Sequence, residues 1–464
     1  MPYPLRVLLV LAAAYMLYFH GMTAVGLHGP DEPRYAWIGR AMAESGDWVT
    51  PRLWGEPWFE KPALLYWLIA VGFRMGLGED AAPRFLIAVL SVLFLAAYWR
   101  LLREELTEVA AGFAVAILGT SAAWLAYSRT AVTDAPLSVS FALAMLLTME
   151  WQRTGNPRRL VWAGVAMGFA MLAKGLVPVV LAAPLIWFGR KRVWDLWRFA
   201  VAALVVAMPW YALCTAANGV VFLEDFILKH HLGRFATSQL QHVQPFWFYA
   251  PVLLGAVFPW TPLLALLRRP EAAGLRFIWA WVLFGFVFFS AAQNKLPGYI
   301  LPLLPGVAAL LGHALASRRV GVRWVLVAAG VLVAFTPAIL PALPEAISTG
   351  SGNALPKVVW WHGVVPAAVA GLVVYLLEAR HGRAWATVVV AILVAAMAWR
   401  VVQDAFPAID AEVSARSAWR AYRNKADEIC LEEPRRAFQY GVNYYFHRTV
   451  PDCEAAPGSV RLRR

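Results

Sequence analysis

Charged side chains are scarce in this sequence. Asp, Glu, Lys and Arg make up 15% of its 464 residues, whereas hydrophobic residues make up 61%. Because soluble domains usually carry about a quarter charged residues, this composition excludes an ordinary water-soluble protein. Many apolar runs, including 5–27, 85–102, 109–126 and 384–402, approach or reach the roughly 17–25 residues of a transmembrane helix. The sequence therefore predicts an all-α, polytopic membrane protein.

Acidic residues are scarcer than basic ones, which leaves a net charge of +13. The apolar runs predict about thirteen transmembrane helices, near 5–27, 82–102, 109–127, 134–151, 160–173, 176–189, 199–216, 246–267, 277–291, 298–315, 324–343, 358–377 and 384–402. With the N-terminus inside, every cytoplasmic loop carries clustered cations, sixteen arginines and Lys191 in all, while the short outer connections hold isolated cations, namely Arg129, Lys174, Lys295 and Lys357. This positive-inside pattern explains the charge by topology, so no nucleic-acid partner is required.

The two ends of the chain carry separate signals. The first apolar run has no small-residue cleavage site before His28, which favours a retained helix over a removed signal peptide. Of the three cysteines, Cys214 falls within a predicted span, while Cys430 and Cys453 fall in the C-terminal tail. A tail of about 60 residues is too small for a large core, so a disulfide in an oxidising compartment would stabilise it. Two unpaired thiols are the alternative.

The chain is predicted to have one membrane domain, 1–402, and a small tail, 403–464, on the non-cytoplasmic side. The first outer loop, 28–80, contains two helical segments, an amphipathic one at 33–44 and an interfacial one at 62–75. A second loop, 218–245, is rich in charge and histidine, and the aromatic density of 437–449 is typical of a strand. Large loops and a tail on one face predict a functional site there.

Four acidic residues in three outer segments have a structural and a functional interpretation. Asp31 and Glu32 precede Pro33, as in a helix cap, but they also place adjacent carboxylates at the membrane surface. Glu60 adjoins Lys61. In the functional interpretation Lys61 binds a lipid phosphate, and in the structural one it is a snorkelling lysine, with its ammonium group at the membrane interface in a salt bridge with Glu60. Asp134 caps the next helix or serves as a functional acid in the short turn that begins at Arg129.

The second outer loop and the segment after 294 carry further polar residues. The run Lys-His-His-Leu-Gly-Arg-Phe at 229–235 is suited to phosphate, and His230 and His231 with Glu60 are weak candidates for a divalent metal. Adjacent histidines on a regular helix cannot both face one ion, which limits the metal hypothesis. Lys295 either faces the same anion as Lys61 or belongs to the proline-marked start of a helix.

Taken in order, these segments resemble the aminoarabinose transferase branch of the GT-C glycosyltransferases, relatives of the protein O-mannosyltransferases. The matching segments are Asp-Glu-Pro-Arg-Tyr at 31–35, Ser-Gly-Asp-Trp-Val-Thr-Pro-Arg at 45–52, Phe-Glu-Lys-Pro at 59–62, Thr-Asp-Ala-Pro at 133–136, Lys-His-His-Leu-Gly-Arg-Phe at 229–235 and Lys-Leu-Pro-Gly-Tyr at 295–299. The resemblance covers about the first 315 residues. Several linked motifs are more specific than any one of them.

The resemblance implies a GT-C fold with about thirteen transmembrane helices, an outer active-site cavity and a C-terminal domain outside the cytoplasm. It implies that Asp31 is the principal catalytic carboxylate and Asp134 a second cavity acid, with Glu60 and Lys61 beside the carrier phosphate. The remaining family positions would line the donor side, namely His230, His231, Arg234, Lys295 and Tyr299.

The implied reaction moves a sugar from undecaprenyl phosphate to a cell-envelope acceptor at the periplasmic face of the bacterial inner membrane. Aminoarabinose transfer to lipid A is the first expectation. Because the tail is shorter than in the best-known family members, transfer of another sugar to O-antigen, another glycan or a protein stays an alternative. A lipid-linked sugar flippase and a non-catalytic scaffold are the hypotheses from other functional classes.

Overall fold

The computed structural model describes residues 3–226, 243–317, 321–456 and 459–463, and helices dominate these residues. Before the second outer loop the helices are α1 Tyr3–Ala14, α2 Asp31–Ser45, α3 Leu64–Arg74, α4 Ala82–Glu105, α5 Glu108–Gly119, α6 Ala122–Tyr127, α7 Asp134–Thr154, α8 Pro157–Lys174, α9 Val177–Leu181, α10 Pro184–Gly189, α11 Leu196–Asn218 and α12 Val220–Leu223. After that loop they are α13 Tyr249–Ala256, α14 Ala273–Ala291, α15 Leu304–Ala316, α16 Val322–Ala334, α17 Leu343–Ser348, α18 Ser351–Ala354, α19 Trp361–His381, α20 Arg383–Arg400, α21 Phe406–Val413, α22 Arg416–Tyr422 and α23 Arg436–Phe446.

Short 3-10 and π-helical turns extend or link several of these helices. A π-turn, Tyr15–Phe19, continues α1, and a 3-10 turn, Pro297–Leu303, precedes α15. Among the described residues, four strands form two small sheets: β1 Arg52–Leu53 pairs antiparallel with β2 Glu56–Pro57, and β3 Ile429–Leu431 pairs parallel with β4 Val460–Leu462. The membrane-spanning region is therefore helical, the first outer loop contains the small β1–β2 hairpin, and the tail is α+β.

The membrane region contains six described helical runs that are long and apolar enough to cross a bilayer, or seven if a bent pair at 322–348 counts as one span. Other predicted spans are interrupted. The run 176–189 consists of two short helices, α9 and α10, each with a proline in its first turn. Because proline lacks a backbone N–H donor, it cannot continue a preceding helix, so the run is not one straight span. The run 109–127 breaks between α5 and α6, which begins at Ala122. The described chain is thus a mostly helical, multi-pass membrane protein.

The first outer loop contains two helices, α2 and α3, which correspond to the predicted segments 33–44 and 62–75. Two acids in the first turn of α2 favour its N-terminus, and Gly46 ends it in the left-handed region with φ 73°. Helix α3 packs against α2 and α4, so its apolar residues are buried between the loop and the membrane helices. The loop is therefore a packed layer that fixes the orientation of α2.

A buried ion pair fixes the start of α2 to the membrane helices. The Arg84 guanidinium donates to both Glu32 oxygens, with Nε–Oε1 2.7 Å and Nη2–Oε2 2.6 Å. Glu32 also accepts from the backbone N–H of Ala131 at 2.9 Å. Although burial alone would raise the pKa of Glu32, the positive charge and hydrogen bonds of Arg84 hold this pKa below its usual range. Glu32 thus joins α2, α4 and the turn before α7.

Helix α23, Arg436–Phe446, occupies most of the segment 437–449, so the strand predicted there is wrong. Helix α23 buries Phe438, Val442 and Tyr445, which are spaced four and three residues apart on one face. Gly441 faces Ala415 so closely that an added Cβ would lie 2.9 Å from its methyl group. Aromatic density favours strands statistically, but this segment repeats with helical periodicity.

The tail packs on the first outer loop and shares a face with it. The Tyr444 hydroxyl donates to the Glu79 carbonyl at 2.8 Å, and the Tyr445 hydroxyl donates to Asp80 Oδ1 at 2.6 Å. Arg416 bridges two carboxylates, with Nη1–Oδ2 2.8 Å to Asp80 and Nη2–Oδ2 2.8 Å to Asp410. Because these contacts involve buried and partly buried groups, the tail is held in a defined orientation over α2.

A disulfide joins Cys430 to Cys453 and encloses α23 in a loop with a sequence separation of 23 residues. We expect the Cys430→Ser/Cys453→Ser variant to lose roughly 3 kcal/mol of tail stability by the loop-entropy relation. Limited proteolysis in detergent should detect faster cleavage between 430 and 453. Substitution of the buried Cys214 by Ala controls for thiol removal, and unchanged protease resistance of the double variant would contradict this expectation.

Candidate active site

Asp31 and Arg34 lie one helical turn apart at the start of α2. This spacing places both side chains on one face, and Arg34 Nη2 donates to Asp31 Oδ1 at 2.5 Å. The Asp31 side chain is 43% exposed, whereas the Arg34 side chain is 4% exposed. Arg34 therefore orients an accessible carboxylate from a buried position.

Glu60 and Lys61 extend this pairing from the segment that precedes α3. Arg34 Nη1 lies 3.0 Å from Glu60 Oε2, and Lys61 Nζ lies 3.2 Å from Glu60 Oε1. Asp31, Arg34, Glu60 and Lys61 thus form a row of alternating charges, termed the charge chain below. Both carboxylate oxygens of Glu60 contact a cation, so this buried acid is compensated on both sides.

Aromatic rings surround the buried guanidinium of the charge chain. The Arg34 guanidinium carbon lies 5.1 Å from the ring centroid of Tyr35, 5.3 Å from that of Trp58 and 5.6 Å from that of Tyr440. Such distances allow cation–π attraction. Burial raises the pKa of the Tyr35 phenol, and the negative charges of Glu60 and Asp31 raise it further. Tyr35 is therefore a neutral hydrogen-bonding group at physiological pH.

Three buried donors near the charge chain have no hydrogen-bond partner within the described ranges: Arg34 Nε, Trp58 Nε1 and the Tyr66 hydroxyl. The Tyr66 ring lies 5.8 Å from the Tyr35 ring, so these donors belong to one neighbourhood. An unsatisfied buried donor costs free energy, and oxygen atoms of a bound ligand would recover that cost. The arrangement suits a ligand rich in hydroxyl or phosphate oxygens.

Asp134 and Lys174 form a second pair at the facing ends of α7 and α8. Lys174 Nζ lies 2.7 Å from Asp134 Oδ1, and it also lies 4.5 Å from the ring centroid of Tyr299. Both side chains of the ion pair are mostly buried. Lys174 thus brings together two predicted site residues, Asp134 and Tyr299. From the sequence, Lys174 itself was indicated only as an isolated outer cation.

A hydrogen bond connects the segments that carry the two acidic positions. Glu32, the neighbour of Asp31, accepts from the backbone N–H of Ala131 in the turn that leads to Asp134. The starts of α2 and α7, which carry Asp31 and Asp134 and are about a hundred residues apart in sequence, therefore lie next to each other.

Two apolar cavities flank α6 beside these polar groups. One, of about 270 Å³, has Tyr127 in its wall, and the other, of about 510 Å³, has Arg129 in its wall. Both cavities contact Ala122 and Ala126 of α6. Each cavity thus combines an apolar interior with a polar group, Tyr127 at the end of α6 or Arg129 in the turn that follows, a combination suited to lipid chains with polar headgroups.

The other predicted site residues have different positions. Lys295 Nζ donates to the carbonyls of Gln244, at 2.8 Å, and Ala292, so it binds backbone at the start of a helix. His230, His231 and Arg234 lie outside the described residues. Of the metal candidates, Glu60 is described, and the described residues contain no group of three His, Cys, Asp or Glu suited to a metal ion.

Comparisons with known proteins agree with a lipid-linked sugar chemistry. A family model described as dolichyl-phosphate-mannose-protein mannosyltransferase matches residues 60–213. An undecaprenyl phosphate-α-4-amino-4-deoxy-L-arabinose arabinosyl transferase from Pseudomonas aeruginosa is 32% identical, over 98% of this chain and 90% of that protein. A second such transferase, from Pseudomonas fluorescens, is 34% identical over 67% of this chain, and the match spans 56% of that protein's length.

A solved structure extends the likeness to the fold. The crystal structure of ArnT from Cupriavidus metallidurans bound to undecaprenyl phosphate superimposes with a TM-score of 0.77 and 25% identity. The match covers 100% of this chain and 90% of that chain, so it includes both the membrane region and the tail.

Proposed function

This chain belongs to the family of undecaprenyl phosphate-α-4-amino-4-deoxy-L-arabinose arabinosyl transferases, and we propose that it transfers aminoarabinose from undecaprenyl phosphate to lipid A. The observation that carries the mechanism is the charge chain, in which a buried Arg34 joins an exposed carboxylate, Asp31, to the Glu60–Lys61 pair. In this arrangement the ammonium group of Lys61 serves the phosphate and the carboxylate of Asp31 serves the anomeric carbon of the glycosyl phosphate bond.

Lys61 is the proposed binding residue for the donor phosphate. Negative charge grows on the phosphate as the glycosidic bond breaks, so a fixed cation stabilises the transition state more than the ground state. Glu60 holds Lys61 at 3.2 Å and is itself held by Arg34, which fixes the ammonium group before substrate binds. A cation that is already oriented requires little reorganisation during the reaction.

Asp31 is the proposed catalytic carboxylate. The anomeric carbon gains positive character as the bond to phosphate breaks, and a nearby carboxylate stabilises it. Arg34 keeps Asp31 in one orientation without covering it, as the 43% exposure of its side chain shows. A phosphate acceptor on lipid A is already ionised at neutral pH and needs no strong base, so Asp31 orients and stabilises rather than abstracts a proton.

Asp134 and Lys174 form the proposed second polar group of the cavity. Lys174 neutralises Asp134 and lies over the Tyr299 ring, so this pair presents a hydrogen-bonding edge without a net charge. The two apolar cavities beside α6 are suited to the lipid chains of the two substrates. Both lipids would then meet at the turn between α6 and α7.

The proposed topology has thirteen membrane segments, an inner-membrane location and a periplasmic site. Its support is the positive-inside charge pattern and the contact of the tail with the loop that contains α2. The proposed domains are 1–402 for catalysis and 403–464 for the tail. The Cys430–Cys453 disulfide is suited to the oxidising periplasm.

The function is tested by mass spectrometry of lipid A and of the undecaprenyl phosphate pool in a deletion strain grown under conditions that induce lipid A modification. We expect lipid A without aminoarabinose and an increase in the undecaprenyl phosphate-linked sugar. An unchanged lipid A profile would reject this acceptor. In proteoliposomes with both substrates on one side, formation of a covalent product separates the transferase from a flippase.

Lys61→Ala should raise the KM for the donor roughly 10- to 100-fold, because a charge-assisted hydrogen bond to phosphate is lost. Lys61→Arg should recover part of this loss, since it keeps the charge. The rate of transfer in proteoliposomes at several donor concentrations measures the effect. Lys357→Ala, which removes a largely exposed lysine paired with Glu345, is the matched control, and equal donor KM values for both alanine variants would contradict the assignment.

A further inference from the structure

Helix α23 of the tail contacts the charge chain through Tyr440. The Tyr440 ring centroid lies 5.6 Å from the Arg34 guanidinium carbon and 5.3 Å from the Trp54 ring in the β1–β2 hairpin. Tyr440 is 7% exposed, so the tail covers this side of Arg34. A side chain of the tail is therefore part of the wall that surrounds the proposed catalytic helix.

Arg436 lies one helical turn before Tyr440 and contacts the same ring. Its Nε donates to the Tyr440 hydroxyl at 3.1 Å, and its guanidinium carbon lies 5.3 Å from the ring centroid. This contact uses Nε and leaves both terminal nitrogens of the guanidinium available for a ligand. Arg436 is exposed, in contrast to the buried Arg34.

Arg436 differs from the ion-paired arginines of the tail in its partners, and it differs from Arg423, which contacts the Trp419 ring, because its own ring partner also contacts Arg34. Arg416 pairs with Asp410 and Asp80, Arg448 pairs with Asp427, and Arg461 and Arg463 pair with Glu432. Within the described part of the chain, Arg436 contacts no carboxylate, and its described side-chain partner is Tyr440. An oriented guanidinium without an acidic partner favours binding of an external anion, since the terminal nitrogens match phosphate geometry.

We propose that Arg436 binds a phosphate group of the acceptor lipid and that Tyr440 is a positioning residue, which holds Arg436 on one side and Arg34 on the other. This inference rests on the proposed function. Along the contacts, Tyr440, Arg34 and Glu60 separate Arg436 from Lys61. Lys61 is buried and faces the donor, whereas exposed Arg436 faces a headgroup that enters from the aqueous side. The tail thereby participates in acceptor recognition.

The test measures transfer in proteoliposomes with purified full-length enzyme, undecaprenyl phosphate-aminoarabinose and lipid A, with each substrate varied separately. Arg436→Ala should raise the KM for lipid A roughly tenfold, as expected for loss of a charge-assisted hydrogen bond, and should change the donor KM less than twofold. Arg435→Ala removes the adjacent exposed arginine and should leave both constants unchanged. Arg436→Lys should recover part of the acceptor KM.

Tyr440→Phe removes the hydroxyl that accepts from Arg436 but keeps the ring over Arg34. It should raise the acceptor KM and leave kcat unchanged, whereas Tyr440→Leu should also lower kcat because Arg34 loses a ring contact. A merely structural role would instead lower the unfolding temperature and alter the donor KM in Arg436→Ala. That result would overturn the inference, and so would equal acceptor KM values for Arg436→Ala and Arg435→Ala. Absence of product with the wild-type enzyme would instead overturn the proposed function.

Discussion

Substitution of Asp31 by Asn should lower kcat for transfer at least 100-fold, with a smaller change in either KM. Asn keeps the size of the side chain and its ability to accept from Arg34, but it removes the negative charge next to the reacting carbon. Because that charge matters most when the anomeric carbon is positively charged, the loss should appear in kcat. Initial rates in proteoliposomes at saturating donor and acceptor measure it.

A matched control lies at the other end of the same helix. Glu44 is exposed, and its Oε1 lies 3.9 Å from Arg40 Nε. Glu44→Gln therefore removes one negative charge from α2 at a residue that does not contact the charge chain. Its kcat should stay within twofold of the wild-type value. Asp31→Asn with more than half of wild-type kcat would exclude Asp31 as the catalytic carboxylate. A lower unfolding temperature for Asp31→Asn would instead indicate that its main role is in the N-terminal turn of α2.

Much of the fold could be predicted because hydrophobic runs and loop motifs are local properties. Composition predicted a multi-pass helical protein, and the proline and acids at 31–33 predicted the start of α2. The strand predicted for 437–449 is wrong because the strand preference of aromatic residues is weaker than the helical spacing of the apolar residues in this segment. Helical periodicity was present there, since Phe438, Val442 and Tyr445 recur on one face.

The candidate site was partly accessible from sequence. The i, i+3 spacing of Asp31 and Arg34 indicates their contact, although the sequence motif at 31–35 gave Arg34 no separate role. The Asp134–Lys174 pair also follows from topology, because α7 and α8 form an antiparallel hairpin whose outer ends meet. The Arg34–Glu60 contact depends on how α2 and the segment before α3 pack, and no local pattern encodes that packing.

The contact between Glu32 and Arg84 was also not predictable, because it joins residues 52 positions apart, one in the packed loop and one in α4. In the sequence, Asp31 and Glu32 are equivalent candidates for the helix cap. The structure separates their environments: Glu32 is 1% exposed and bound by Arg84, whereas Asp31 remains accessible. Adjacent acids therefore have a structural and a proposed catalytic role, since successive helical residues point in different directions.

Glu32→Gln should destabilise the protein by roughly 3–5 kcal/mol, because it leaves the buried Arg84 without a compensating charge. Arg84 also donates to the carbonyls of Val25, at 2.6 Å, and Gly26, at 3.0 Å, so the loss extends to the chain that enters α2. The thermal unfolding midpoint in detergent measures the effect. Glu105→Gln, which removes the partner of the much more exposed Arg153, should cost about 1 kcal/mol or less.

The double variant Glu32→Gln/Arg84→Met distinguishes the ion pair from simple loss of packing. Because removal of both charges avoids an uncompensated buried ion, the double variant should be more stable than Glu32→Gln alone. Additive destabilisation would contradict this coupling. Activity adds an independent readout: the start of α2 carries Asp31 and Arg34, so displacement of α2 in the single variant should lower kcat even at temperatures where the protein remains folded.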